Sequence, residues 1–248
     1  MNKPIDISTR ETANFLASHL SPSAELLEVG AGHGHVAIDL ARRGYRVLGL
    51  ESSQEIVVQS RQHGAPVVLT TWPQFSGTAV DAIAFTRSLH HIGPLDKAVG
   101  KARELVRPAG TLLVEDFAFD EVNKETIDWF RAMLGSRFAP TLPDEGAGEF
   151  VADLLGASDP LDAWREHHDH EVHTIAAMTR AIRASFAVSE TRSAPYLYRY
   201  AVPLLPETQE AAAFVQDVLR EETRLGERGE IVLIGRRLVA SPYQPQRE

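Results

Sequence analysis

Short apolar runs alternate with segments of helical periodicity through the first half of the chain. Five runs have the length and composition of buried β-strands, namely residues 25–29, 46–50, 66–69, 80–85 and 111–117. Apolar residues at helical spacing predict helices at 9–20, 34–43, 53–62 and 95–106. Strands that are apolar along their whole length are typical of parallel sheets covered on both faces. The pattern therefore predicts a doubly wound α/β sheet.

The pattern changes after residue 117. Three helices are predicted next, at 122–134, 149–155 and 161–186, with a turn-rich link at 139–146. Two further strands, at 194–202 and 230–239, flank a helix at 207–225. We expect a seven-stranded, mostly parallel sheet with a helical insertion between strands five and six. The α/β domain would comprise residues 1–119 and 187–240, the helical lid and substrate-binding insertion 120–186, and a flexible tail 241–248.

Composition narrows the function classes. The 248 residues include 25 Lys plus Arg against 34 Asp plus Glu, a net charge of −9, and no basic cluster of the kind that binds nucleic acid. The absence of cysteine excludes disulfides, thiolate metal sites and cysteine nucleophiles. No apolar run approaches the ~18 residues of a membrane span, and the N-terminus lacks the apolar core of a signal peptide. We expect a soluble cytoplasmic protein whose oligomeric state the sequence leaves open.

A glycine-rich motif follows the first predicted strand and opens a predicted helix. Residues 28–34 read Glu-Val-Gly-Ala-Gly-His-Gly, and glycines at alternate positions let the backbone turn sharply and let a ligand approach closely. The helix N-terminus behind them offers free N–H groups. Glu51 ends the second predicted strand, where a carboxylate can accept two hydrogen bonds from a ribose diol. Together these features predict a nucleotide-type cofactor site.

The spacing of the glycines separates two cofactor classes. A dinucleotide fingerprint, G-x-G-x-x-G, would need glycine where His35 stands. With its E-x-G-x-G-x-G motif, the strand at 81–85 followed by Ser-Leu-His-His-Ile, and the Pro-Ala-Gly turn before the fifth strand, the chain resembles class I S-adenosylmethionine-dependent methyltransferases. The resemblance covers about residues 25–117 and the last two strands. It implies S-adenosylmethionine as cofactor and S-adenosylhomocysteine as product.

The resemblance also implies roles for single residues on the adenosine side of the site. Gly30 and Gly32 would form the floor under the methionine and ribose moieties. Glu51, with Ser52 beside it, would bind the ribose hydroxyls. Thr71 and Trp72 stand where the family has an acid and a small residue against adenine, so Trp72 is expected to stack on the ring.

On the methionine side, the resemblance places Glu28 near the amino group and three residues at the end of the fourth strand along the chain, Phe85, Thr86 and Arg87. Arg87 is unusual there, and either binds a carboxylate of the cofactor or substrate or is a surface arginine. Glu115 and Asp116 end the fifth strand, and we expect one of them near the substrate because ligands bind at the carboxyl ends of parallel strands.

Histidines are unevenly distributed. Four follow the first and fourth strands (His33, His35, His90 and His91), and four more fall within seven residues (His167, His168, His170 and His173). On one helix, His167, His170 and His173 would share a broad face, which suggests a metal site helped by Asp169 or Glu166. The competing interpretation is a solvated polar helix start. We expect no metal.

Methyl transfer to oxygen or nitrogen also needs a proton acceptor, and neutral histidine suits that role. The candidates are His91, which follows the fourth strand, and His173 in the predicted lid. Aromatic residues of the insertion would form an apolar acceptor pocket, namely Trp129, Phe130, Phe138, Phe150 and Trp164.

The sequence therefore predicts methyl transfer to an oxygen or nitrogen, and less readily a carbon, of a small organic acceptor. The partner is a small molecule, with no nucleic acid and no membrane. The alternatives are a methyltransferase for protein or RNA, and a non-catalytic protein that binds S-adenosylmethionine or a metal.

Overall fold

A seven-stranded sheet organises the fold. The computed structural model describes residues 2–138, 147–169 and 172–243. The strands are β1 (Glu25–Val29), β2 (Arg46–Glu51), β3 (Val67–Leu69), β4 (Val80–Thr86), β5 (Val106–Phe117), β6 (Phe186–Ala194) and β7 (Gly235–Pro242). Their order in the sheet is β3-β2-β1-β4-β5-β7-β6, and every pairing among β1 to β5 is parallel. The predicted fold class, including helices between strands five and six, is confirmed.

The α-helices follow the strands as the apolar periodicity predicts in the first half of the chain. They are α1 (Pro4–Ala17), α2 (His35–Arg42), α3 (Gln54–Gln62), α4 (Leu95–Leu105), α5 (Lys124–Phe138), α6 (Ala147–Gly156), α7 (Pro160–His167), α8 (Ile175–Arg183), α9 (Tyr198–Ala201) and α10 (Gln209–Glu227). Within the described residues, no helix has the length and apolarity that crossing a membrane requires.

The parallel register brings the carboxyl ends of the central strands to one edge of the sheet. Val29 of β1 lies beside Leu50 of β2 and beside Phe85 of β4, and Thr86 lies beside Glu115 of β5. Strand β1 is buried from its second residue onward because neighbouring strands and helices cover it. The loops that leave these strands therefore start close together, which is the usual place for a ligand in such a sheet.

The strand predicted at 194–202 is wrong. Tyr196, Tyr198 and Tyr200 alternate with other residues and imitate a strand, but residues 198–201 form α9. The backbone N–H groups of residues 196–198 bind the buried carboxylate of Glu222, so they are not available to a neighbouring strand. This interaction spans more than twenty residues, and a local pattern cannot reveal it.

The sixth strand lies earlier, at Phe186–Ala194, and the seventh begins at Gly235 rather than residue 230. Strand β6 is at the edge of the sheet, and only its first and last residues are buried. An edge strand with so little buried surface carries no apolar run, which is why the hydrophobic pattern missed it.

The single helix predicted at 161–186 is also wrong. Helix α7 ends at His167, and α8 begins at Ile175 after a separate N-cap. The hydroxyl of Thr174 accepts the N–H of Ala177 at 3.2 Å, which satisfies a free donor of the new helix. The predicted common helical face of His167, His170 and His173 therefore does not exist, and His170 lies outside the described residues.

Contacts divide the chain into two compact units. The sheet unit consists of Thr9–Asp116, His173–Arg192 and Arg236–Glu248, and the helical unit of Met1–Ser8, Phe117–Val172 and Ser193–Gly235. This division differs from the predicted one, which assigned residues 173–186 to the insertion and 193–235 to the sheet domain. That the insertion acts as a lid stays a prediction.

Each unit has its own apolar core. In the sheet unit the core joins α1, α2 and the central strands through Phe15, Leu16, Leu26, Leu40 and Leu113. In the helical unit it is richly aromatic and includes Phe117, Phe130, Phe150, Trp164 and Tyr196. The partly buried Trp129 packs against this second core. The side chain of Phe138 lies outside the described part of the chain.

Glu222 is a buried polar anchor inside the helical unit. Its Oε1 accepts the N–H groups of Tyr196 at 2.7 Å and Leu197 at 2.9 Å, and its Oε2 accepts that of Tyr198 at 3.0 Å. Burial raises the pKa of Glu222 to about 7, although the three hydrogen bonds favour the charged form. The carboxylate therefore fixes the start of α9 at a cost in desolvation.

Replacing Glu222 with alanine should lower the free energy of unfolding by about 3 kcal/mol, because three buried N–H groups lose their acceptor. Glu221→Ala is the matched control, since Glu221 is partly exposed and its side chain pairs with Arg224 at the surface. The control should cost less than about 0.5 kcal/mol. Urea denaturation of both variants at pH 7 measures the difference, and equal losses would contradict the anchoring role.

Candidate active site

A cavity of about 420 Å³ lies at the carboxyl ends of β1, β2, β3 and β4 in the sheet unit. Seven of the residues predicted for the site line it: Gly30, Glu51, Ser52, Thr71, Trp72, Arg87 and His91. Its other lining residues include Thr70, Ser88, Ile92 and Gly93, which lie one or two residues after β3, after β4 or after the short helix Leu89–His91. Their position after strand ends is the signal that sequence reasoning could have used to find them.

The turn after β1 depends on glycine at two positions. Gly30 has φ +71°, and a Cβ there would lie 2.5 Å from the Cβ of Ser88. Gly32 has φ +54°, a conformation that residues with a side chain rarely adopt. The N–H groups of Gly30 and Ala31 both bind the carbonyl of Leu50, at 2.9 and 3.0 Å, so the turn is joined to the end of β2.

Glu51 holds this turn from the other side. Its Oε2 accepts the N–H of Gly32 at 3.0 Å, and its Oε1 accepts the N–H groups of Ser52 at 2.8 Å and Ser53 at 2.9 Å. The hydroxyl of Ser52 makes a longer fourth bond to Oε1, at 3.4 Å. Three of the four bonds are therefore on Oε1 and one is on Oε2. Because each carboxylate oxygen offers about two acceptor positions, Oε2 has one left for a ligand, and the Ser52 hydroxyl can turn away to leave another. The carboxylate is thus fixed at the cavity wall and still able to bind hydroxyl groups.

Trp72 forms a rigid part of the wall. Its Nε1 donates to the carbonyl of Ala98 at 3.0 Å, and its ring packs edge to face against Phe85 at 5.9 Å. Phe85 is fully buried and Thr86 nearly so, and neither is among the residues that line the cavity. Instead, Phe85 packs against Trp72, and Thr86 donates a hydrogen bond to Glu28.

Glu28 is buried behind the glycine turn. Its side chain is 1% exposed, its Oε1 accepts the hydroxyl of Thr86 at 2.7 Å, and its Oε2 has no hydrogen-bond partner among the described residues. Burial raises its pKa to about 7, against the opposing effects of Thr86 and Arg87. Glu28 and Gly32 were expected to contact the cofactor, but neither is a lining residue.

Arg87 reaches the cavity from a strained backbone position, with φ +59°. Its Nη1 donates to Glu115 Oε1 and to the hydroxyl of Thr12, both at 3.1 Å. Glu115 is 3% exposed and also accepts a hydrogen bond from Arg237 Nε at 2.7 Å. The carboxylate of Glu115 thus orients Arg87 and does not itself line the cavity. No local sequence signal indicates that Thr12 and Arg237 complete this network.

Three histidines meet at one end of the cavity. His91 is exposed and lines the cavity, and the centroid of its ring lies 4.0 Å from the centroid of the His90 ring. The N–H of His173 donates to the carbonyl of His90 at 2.8 Å. A Cβ placed on the lining residue Gly93 would lie 3.3 Å from Nε2 of His173. His91 and His173, the two predicted bases, are therefore brought to the same region of the sheet unit.

His90 itself was not predicted as part of the site. Its Nδ1 lies 2.7 Å from Oδ1 of Asp116, and its N–H donates to Oδ2 of Asp116 at 3.3 Å. Both residues are buried, and neither lines the cavity. No local sequence signal could have found them, because their proximity depends on the register of β4 and β5, which places Thr86 beside Glu115.

The described histidines of the other cluster, His167 and His168, pack against aromatic residues of the helical unit. His168 is buried; its Nδ1 lies 2.7 Å from the carbonyl of Trp164 and its Nε2 lies 3.1 Å from the hydroxyl of Tyr200. His167 stacks on Phe150 at 4.0 Å. The interpretation as a solvated polar helix start is therefore wrong for His168. In the part of the chain that the structure describes, no three His, Asp or Glu side chains are grouped as metal ligands would be.

The helical unit contains a cleft of about 320 Å³ beside its aromatic core. Apolar and aromatic side chains form part of its wall, namely Phe119, Val122, Trp164 and His168. Asp120, Arg165, Glu166 and Asp169 complete the lining. Phe130 and Phe150, also expected to form a pocket, are instead buried in the core.

Residues 8–142, more than half of the chain, match a family model described as Methyltransferase domain. The chain is 27% identical over 173 residues to a ubiquinone biosynthesis O-methyltransferase from Paramagnetospirillum magneticum. That match covers 60% of this chain and 69% of the relative.

Two solved structures are similar in fold. One is a TehB-like SAM-dependent methyltransferase from Corynebacterium glutamicum, with a TM-score of 0.52, 11% identity, and coverage of 93% of this chain and 86% of that chain. The other is an S-adenosylmethionine dependent methyltransferase from Mesorhizobium loti, with a TM-score of 0.54, 12% identity, and coverage of 95% and 96%.

Glu28 should make stability depend on pH. Its pKa is about 7 in the folded protein against an ordinary 4.5, so its stabilising contribution is present below about pH 4.5 and is lost as the pH rises through 7. Glu28→Gln imitates the protonated form and should reduce the loss of unfolding free energy between pH 5 and 8.5 by about 2 kcal/mol. Glu222 contributes in the same direction to both proteins, so the difference isolates Glu28. Parallel stability curves would contradict this assignment.

Proposed function

The chain belongs to the methyltransferase family that its residues 8–142 match, and on that premise we propose that it methylates a hydroxyl oxygen of a small organic acceptor. The family makes the protein an S-adenosylmethionine-dependent methyltransferase. Oxygen as the acceptor atom is supported by relatives named ubiquinone biosynthesis O-methyltransferase, at 23 to 27% identity. The proposal names the acceptor atom and the size class of the acceptor, and leaves its carbon skeleton open.

The observation that carries the proposal is the position of Glu51. Its carboxylate is fixed by three backbone N–H groups at the wall of a cavity whose volume is typical of small-molecule sites. A fixed carboxylate at the end of the second strand is the acceptor that a ribose diol requires. We infer that Glu51 and Ser52 bind the ribose, and that Gly30 and Gly32 leave room for the chain that joins ribose to sulfur.

Other residues fit the remaining parts of the cofactor. Trp72 is held by Ala98 and Phe85 and offers an aromatic surface for adenine beside Thr71. Arg87 uses only Nη1 for its side-chain partners among the described residues, which leaves its other N–H groups for a carboxylate. We infer that this carboxylate belongs to the methionine moiety. That the amino group of the methionine moiety lies near Glu28 stays a prediction, because Glu28 is buried and does not line the cavity.

The mechanism requires little chemistry from the side chains. When bound, S-adenosylmethionine supplies a methyl group that is already activated by the positive charge on sulfur. The cavity residues align the acceptor oxygen with that methyl group and exclude water. His91 or His173 accepts the hydroxyl proton on a neutral ring nitrogen as the acceptor oxygen is methylated.

Glu51→Gln should weaken binding of S-adenosylhomocysteine about 10- to 100-fold, because the ribose loses a charge-assisted acceptor. Glu55→Gln is the control, since Glu55 is an exposed residue of α3 whose side chain binds Gln59. Its affinity should stay within twofold of the parent. Isothermal calorimetry measures both, and parental affinity in Glu51→Gln would contradict the ribose site.

His91→Ala and His173→Ala distinguish the candidate bases. The variant that lacks the base should lose about 10²- to 10⁴-fold in kcat with little change in S-adenosylhomocysteine affinity, because the loss falls on the transition state. His63→Ala, an exposed histidine at the end of α3, is the control.

The assay uses methyl-labelled S-adenosylmethionine with a panel of phenols, catechols, aliphatic alcohols and amines, and separate reactions with protein and RNA. Label on an oxygen of a small molecule supports the proposal. Label only on nitrogen, protein or RNA would overturn it.

A further inference from the structure

Two adjacent buried carboxylates lie at the end of β5, and they contact different residues. Glu115 and Asp116 are 3% and 0% exposed. Successive side chains of a strand point to opposite faces of the sheet, so the two acids face different surroundings. Glu115 pairs with Arg87 and Arg237, while Asp116 contacts His90. The carboxylate of Glu115 orients Arg87, whereas the carboxylate of Asp116 faces His90.

Asp116 contacts His90 at both its backbone and its ring. Oδ2 accepts the backbone N–H at 3.3 Å, and Oδ1 lies 2.7 Å from Nδ1 of the ring. The Nδ1–Oδ1 distance is that of an ion pair, but the two atoms do not meet hydrogen-bond geometry, so the carboxylate acts on the ring through its charge and on the backbone through the N–H bond. A negative charge this close to Nδ1 favours a proton on that nitrogen. Burying a carboxylate costs free energy unless the carboxylate is paired. Removing either Asp116 or His90 therefore disturbs the position of the other.

His90 in turn contacts both candidate bases. Its ring lies 4.0 Å from the ring of His91, which lines the cavity. Its carbonyl accepts the backbone N–H of His173 at 2.8 Å. His90 is 6% exposed and is not a lining residue, so it is placed to hold these two histidines rather than to meet an acceptor.

We propose that Asp116 and His90 are a positioning pair for methyl transfer, in which Asp116 fixes His90 and His90 fixes His91 and His173. The inference rests on the proposed function, because the two histidines matter for catalysis only if one of them accepts the acceptor's proton. Neither Asp116 nor His90 takes that proton. A base must lie within hydrogen-bond reach of the hydroxyl in the right orientation, so loosening its support lowers the rate of transfer.

The kinetic test is Asp116→Asn with Glu115→Gln as its matched control on the same strand. Catechol is the acceptor probe, and S-adenosylhomocysteine is the ligand for calorimetry. Asp116→Asn should lower kcat about 10- to 100-fold while the Kd for S-adenosylhomocysteine stays within twofold of the parent. Glu115→Gln should instead raise the Kd for S-adenosylhomocysteine, because Arg87 loses its charged partner. Parental kcat in Asp116→Asn would overturn the inference.

The second readout does not depend on turnover. In protein labelled with ¹⁵N at histidine and saturated with S-adenosylhomocysteine, Asp116→Asn should shift the ring nitrogen signals of His90, His91 and His173. The signals of His63 should not change, and Glu115→Gln should leave the three rings near their parental positions. Unchanged His91 and His173 signals in Asp116→Asn would overturn the inference whatever the acceptor is.

The two readouts separate this inference from the proposed function. If the parent methylates oxygen acceptors and Asp116→Asn alters neither rate nor spectra, only the inference fails. If the parent methylates no oxygen acceptor but the histidine signals shift as expected, the positioning is supported and the proposed function fails. Should Asp116→Asn not fold, His90→Gln gives the same test, because it removes the ring that contacts His91. The loss in kcat and the shifts of His91 and His173 should then be the same.

Discussion

The carboxylate of Glu51 joins the two loops on which the cavity depends. One oxygen accepts the N–H of Gly32 in the turn after β1, and the other accepts the N–H groups of Ser52 and Ser53 after β2. The turn can approach β2 this closely because glycine adopts positive φ at residues 30 and 32. Parallel register then brings β4 and its loop to the same edge. The shape of the cavity thus follows from one charged side chain and a few backbone groups.

Each of three buried carboxylates near the strand ends holds a different neighbouring residue in place. Glu28, at the penultimate position of β1, binds Thr86 and has its pKa raised to about 7 by burial. Glu115 orients Arg87, and Asp116 contacts His90. Each acid fixes a neighbour at or behind the cavity, so the polar groups are arranged before any ligand arrives. Such preorganisation is the main contribution that a protein makes when the transferred group is already activated.

The sequence predicted the parts of the fold that local signals encode. The central strands and their helices were found because their apolar runs are buried on both faces, and the glycine motif with Glu51 indicated the cavity. The sixth strand was predicted at the wrong place because residues 196–198 bind Glu222 of a distant helix, and this contact is not visible in the local sequence. The break between α7 and α8 depends on the Thr174 cap within a polar stretch. The pairing of Asp116 with His90 required the register of β4 and β5, which no single stretch of sequence contains.

The central claim is that the cavity beside Glu51 binds the cofactor with its ribose on this carboxylate. A crystal structure of the protein with S-adenosylhomocysteine tests it most directly. The account predicts both ribose hydroxyls within hydrogen-bond distance of Glu51, adenine beside Trp72, and the sulfur on the side of His91. Ligand density that avoids Glu51, or that lies outside the cavity lined by Gly30, Glu51 and Arg87, would contradict it.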